Sequence, residues 1–119
     1  MNTENKHNQV SLIEFPASTP EELKAVTDFY ESAFDWNYKD WGGVYSDTPD
    51  SGVTTGVIAA EQGRPTMPLT VIYATDLDEK KELIRASGGK ITLDTYEFPG
   101  GRRFHFMDPA GNELAVWSE

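Results

Sequence analysis

The first sustained pattern of apolar positions opens behind Ser18 and Thr19, capping residues followed by Pro20 at the first helical position and by Glu22 three residues past Thr19. Leu23, Val26, Phe29, Tyr30, Ala33 and Phe34 then recur at three- and four-residue spacings, which predicts a helix to about Asp35 with an apolar stripe lying on a sheet. β-rich runs flank it: Val10 to Phe15 before, and Tyr38 to Trp41, Val44 to Ser46 and Val53 to Ala60 after. Gly42-Gly43 and Pro49-Asp50-Ser51-Gly52 punctuate them. The order is strand, helix, three strands.

The second half repeats that order. Leu69 to Ala74 reads as a strand, Asp76 caps a helix with Glu79 placed to answer it, and Gly88-Gly89 ends the helix. Strands follow at Lys90 to Glu97, Arg103 to Met107 and Glu113 to Ser118, and Asp108-Pro109-Ala110-Gly111 fits a type I turn. The spacing from Thr19 to Asp76 nearly equals that from Gly52 to Gly111, so two independent landmarks point to a duplicated module. The expected fold class is α+β, one domain over residues 10–119. Module 1 covers about 10–60, a linker with Gly63, Pro65 and Pro68 covers 61–68, and module 2 covers about 69–118; residues 1–9 read as a loose polar tail.

Charge narrows the partners. Twenty acidic against ten basic residues give a net charge of −10, which opposes binding to nucleic acid and to anionic membrane surfaces. No apolar run approaches the roughly 20 residues that span a bilayer, and a cytoplasmic location is the default expectation. The absence of cysteine excludes disulfides, thiolate metal sites and cysteine nucleophiles.

Two segments carry a resemblance. Phe29-Tyr30 through Phe34-Asp35-Trp36 is similar to a helix signature ending in FYxxxFGW, and Phe106 through Asp108-Pro109-Ala110-Gly111-Asn112-Glu113-Leu114 to an FxDPxGNxL hairpin. Over about Val10 to Trp117 the chain thus resembles the vicinal-oxygen-chelate superfamily of glyoxalases, bleomycin-resistance proteins and extradiol dioxygenases. The resemblance implies two tandem βαβββ modules forming a curled mixed sheet with a cleft. It also implies homodimers and, in the enzymes, four metal ligands on the first and last strand of each module. The matching positions here are Leu12, Gly56, Leu69 and Ala115, none of which offers a donor to a divalent ion. A metal-independent protein without cofactor, binding a small organic molecule, is therefore expected.

In such a sheet one face meets the helices and the other lines the cleft. With Phe104 and Phe106 under the helices, Arg103, His105 and Met107 share the cleft face. His105 is a candidate general base or hydrogen-bond partner. Glu14 falls on the face of Leu12; it is either an inward carboxylate needing Arg103, His105 or a cationic ligand, or an edge residue in water. Tyr73, Arg103 and Trp117 are the candidate ligand-binding residues, with packing as the competing role for both aromatics. Three activities stay open beside simple binding: sequestration of a cationic antibiotic as in bleomycin resistance, a metal-free lyase or isomerase using Glu14 or His105, and a protein-interaction module.

Overall fold

The computed structural model describes residues 5–119. Along the chain run β1 (Gln9–Pro16), α1 (Pro20–Phe34), β2 (Lys39–Asp40), β3 (Tyr45–Thr48) and β4 (Thr55–Ile58). They are followed by β5 (Leu69–Tyr73), α2 (Leu77–Ala86), β6 (Lys90–Phe98), β7 (Gly101–Met107) and β8 (Glu113–Ser118). The βαβββ order thus occurs twice. The described residues fall into two compact units, one over Leu12–Leu69 and the other over residues 5–11 with Thr70–Glu119.

In the first unit the strands lie in the order β2-β3-β4-β1, with β1 parallel and β3 antiparallel to β4. In the second the order is β5-β8-β7-β6, with β5 parallel and β7 antiparallel to β8. The registers also coincide. The pairs Ile13↔Thr55, Glu14↔Gly56 and Phe15↔Val57 have their counterparts in Thr70↔Leu114, Val71↔Ala115 and Ile72↔Val116. Across the antiparallel ladders, Thr48↔Thr55 and Tyr45↔Ile58 correspond to Phe106↔Leu114 and Arg103↔Trp117. Glu14 and Val71 are therefore equivalent positions, as are Gly56 and Ala115.

Both helices begin as their caps dictate. The Thr19 hydroxyl accepts from the Glu22 amide at 3.0 Å while the Glu22 carboxylate accepts from the Ser18 amide at 2.6 Å, and Asp76 accepts from the Glu79 amide at 3.0 Å. At the exit of α1, Asp35 adopts the left-handed conformation, φ 62°, that glycine would take without strain. Each helix covers one sheet face. Leu23 packs with Ala17, Val57 and Ala59, while Leu77 packs with Ala74, Phe104 and Val116. Complete burial of a side chain like Phe104 is worth about 1.5–3 kcal/mol.

The apolar stripe of α1 departs from expectation, since Phe29 and Phe34 are 61% and 56% exposed. Phe29 lies about 200° around the helix from the buried Thr27, on the side turned away from the sheet, and Phe34, though close to Thr27 in phase, falls in the last turn of the helix.

Part of the segment expected to be a loose tail is held in place. The Asn8 amide donates to the Tyr73 carbonyl at 2.9 Å, the Thr75 amide donates to His7 Nδ1 at 3.0 Å, and β1 starts at Gln9; the rest of that expectation, residues 1–4, lies outside the described residues. In the segment expected as a linker, Arg64 Nη1 donates to the carbonyls of Ser18 and Ala59, 3.1 Å each. Among the described residues no helix is long and apolar enough to cross a membrane.

Candidate functional site

Strand alternation builds the candidate site in the second unit. Phe104 and Phe106 of β7 pack with Leu77 and Ile84 of α2, so Arg103, His105 and Met107 lie on the opposite face, as their parity requires. Cross-strand pairing then assembles a row over four strands: Tyr73↔Trp117, Trp117↔Arg103 and Arg103↔Tyr96. The rings of Tyr73 and Trp117 meet edge to face at 5.0 Å, and Phe98 stands 6.0 Å from Trp117. The Tyr73 hydroxyl donates to the Glu119 carboxylate at 2.6 Å, and that bond raises the phenol's pKa above its ordinary value.

Beside this row His105 is held at Nε2. Arg103 Nε donates to His105 Nε2 at 3.4 Å, with Arg103 Nη2 and the Tyr96 hydroxyl each 3.2 Å from the same atom. A lone pair that accepts from a guanidinium carries no proton, so the neutral ring has its hydrogen on Nδ1. Nδ1 lies 3.6 Å from Glu113 Oε2, which also accepts from the Thr92 hydroxyl at 3.0 Å. Arg103 and His105 are 6% and 3% exposed. The network orients a buried guanidinium between Trp117 and Tyr96, with its Cζ 5.9 Å from the Tyr96 ring centre. Its geometry suits anchoring a ligand better than transferring a proton through His105.

Glu14 belongs to the first unit. It is 2% exposed, which removes the alternative of an edge residue in water. Its neighbours Phe15 and Val57 face α1, so Glu14 shares with Gly56 the face opposite that helix. Tyr45 occupies the space a side chain would take there: a Cβ on Gly56 would stand 2.6 Å from the Tyr45 hydroxyl oxygen. Neither a histidine nor a carboxylate fits at Gly56 with Tyr45 in place. Leu12, Leu69 and Ala115, at the other positions that the resemblance singled out, carry hydrocarbon side chains without a metal donor. Among the described residues no group of three or more His, Cys, Asp or Glu could hold an ion.

The aromatic group after α1 divides. Trp36 and Tyr38 stack around Tyr30, whereas Trp41 donates from its indole to Asp47 at 2.8 Å beneath Lys39, 4.0 Å from the ring centre. Sequence reasoning missed Tyr96, Phe98 and the Thr92–Glu113 support. Register shifts between Ile91 and Leu93 and between Leu93 and Tyr96 interrupt β6, and strict alternation from Leu93 would send Tyr96 to the face of α2.

Solved structures place this architecture in a class. A glyoxalase/bleomycin resistance protein/dioxygenase superfamily member from Vibrio splendidus 12B01 superposes with a TM-score of 0.63 at 10% identity, over 91% of this chain and 97% of that one. The Mn(II)-bound glyoxalase from Novosphingobium aromaticivorans gives 0.63 at 15% identity, over 97% of this chain but 40% of that one. A protein from Legionella pneumophila named NAD-dependent benzaldehyde dehydrogenase gives 0.73 at 16% identity, over 90% and 96%. The chain has the glyoxalase-type fold, in agreement with the vicinal-oxygen-chelate resemblance of its two motifs. No protein-family model and no curated protein matches its sequence.

Proposed function

We propose that this protein binds a small planar organic molecule without a metal, against the sheet face opposite α2, and that copies of it pair as a homodimer. The observation that carries the reading is the Tyr73–Trp117–Arg103–Tyr96 row: three aromatic rings and a buried guanidinium brought to one face by four adjacent strands. Aromatic rings supply contact area at low entropic cost, and a guanidinium fixes orientation through directed donors. Arg103 in the row favours a neutral or anionic ligand over the cationic glycopeptide of a bleomycin-type sequestering protein.

The test is a thermal-shift panel of aromatic acids, aromatic ketones and bleomycin, run with metal analysis of the purified protein. A stabilising aromatic ligand whose effect is lost in Trp117→Ala and Arg103→Met, with substoichiometric metal, supports the reading. Stoichiometric manganese, nickel, zinc or iron contradicts it, and stabilisation by bleomycin alone replaces it with sequestration.

A further inference from the structure

The Tyr73 hydroxyl, at the head of the row that carries the proposed ligand site, is engaged by a carboxylate of the chain itself: it donates to Glu119 at 2.6 Å. β8 ends at Ser118, but its alternation puts Glu119 on the side of Ala115 and Trp117, the face opposite α2. Gly101 permits that position, since a Cβ there would stand 3.0 Å from the Glu119 Cα and collide with the Ser118 carbonyl. Glu119 is exposed, and the bond to Tyr73 is the only hydrogen bond of its side chain among the described residues. It can leave at the cost of that one bond, whereas Tyr73 is buried edge to face on Trp117 and stays in place. Elsewhere the row also carries donors: the Arg103 guanidinium, and the buried indole N–H of Trp117, which has no hydrogen-bond partner among the described residues. Such a row calls for a ligand rich in acceptor oxygens, and one carboxylate already stands at its edge.

Building on the ligand site assigned above, we infer that the molecule it takes is a planar carboxylic acid, and that Glu119 is an internal competitor holding the place of the acid's carboxylate on Tyr73. In the free protein Glu119 satisfies the hydroxyl. The acid displaces it, takes over the bond and leaves Glu119 in water. A neutral amide or ketone lacks the charge that strengthens the bond, so it displaces Glu119 poorly. The contact thus selects for the ionised acid among molecules of similar shape.

The probes are naphthoate and its neutral amide, naphthamide, titrated by calorimetry into the intact protein at neutral pH and about 0.15 M salt. Naphthoate should bind the parent about fivefold or more tightly than naphthamide. Glu119→Ala should tighten naphthoate by about fivefold, and that gain should vanish in a Tyr73→Phe background, because the two side chains compete through one bond. Naphthamide binding as tightly as naphthoate, a Glu119→Ala gain below about twofold, or the same gain with Tyr73→Phe would overturn the inference. If both probes still lose affinity in Trp117→Ala, those outcomes leave the ligand site standing. Binding of neither probe, or binding indifferent to Trp117→Ala, removes the site and the inference together. Should Tyr73→Phe fail to fold, Glu119→Gln takes its part: it removes the charge but keeps an acceptor on Tyr73, so its gain should be smaller than that of alanine. An equal gain would mean general repulsion rather than competition, and would count against the inference.

Discussion

At the scale of single residues, several positions carry consequences out of proportion to their size. Gly56 has room for no Cβ while the Tyr45 ring lies across it. Gly56→Ala should therefore destabilise by about 1–3 kcal/mol in urea denaturation, and the penalty should shrink in a Tyr45→Ala background because the two changes are coupled. Asp108 organises the β7–β8 turn: its carboxylate accepts from the amides of Ala110 and Asn112, 2.9 Å each, and from the Asn112 side chain at 2.8 Å. Those bonds, the Asn112 side chain foremost, hold its pKa below the usual 3.8. A depressed folded-state pKa gives stability that is present above the unfolded value and lost as pH falls through the folded one. Asp108→Ala should lower the melting temperature at pH 7, and the gap from the parent should narrow once the pH falls well below 3.8. This chemistry was legible beforehand, because Asp, Pro and Gly at fixed turn positions act through local geometry. The obstruction at Gly56 was not, since it depends on a tyrosine from the neighbouring strand.

At the scale of elements, helix starts were readable because capping is a contact between residues three apart. Thr19→Ala should cost about 1 kcal/mol in chemical denaturation, and Asp35→Gly, relieving a left-handed non-glycine residue, should add about 0.5–1 kcal/mol. The face of β7 was readable for the same reason: two phenylalanines alternating with Arg103 and His105 define it without knowledge of the partner strands. β6 was not, because a bulge is a disagreement between two strands over count and leaves no mark in one of them. The α1 stripe shows a further limit. Spacings of three and four read one after another let the phase drift: Phe29 lies about 200° around the helix from the buried Thr27 and is exposed.

At the scale of the molecule, the duplication accounts for most of what could be anticipated. Two halves with the same element order and the same ladder registers need only one solution to the packing of a helix on a four-stranded sheet. The charge is also a whole-molecule property. A net −10 repels itself, so raising salt from about 0.02 to 0.5 M should raise the melting temperature and favour the proposed homodimer, which sedimentation would register as a species of twice the chain mass. A lower melting temperature in salt would mean that attractive ion pairs outweigh the repulsion.

The sequence by itself determined the local chemistry: two capped amphipathic helices, an Asp-Pro-x-Gly turn, strand parity around Arg103 and His105, and side chains without metal donors at Leu12, Gly56, Leu69 and Ala115. These follow from interactions among near neighbours and from the kinds of atoms present. Tertiary structure decided which strands lie side by side, and hence that Tyr73, Trp117, Arg103 and Tyr96 form one row and that Tyr45 covers Gly56. Pairings between distant segments are selected by the packing of the folded chain as a whole, and no short stretch of residues encodes them.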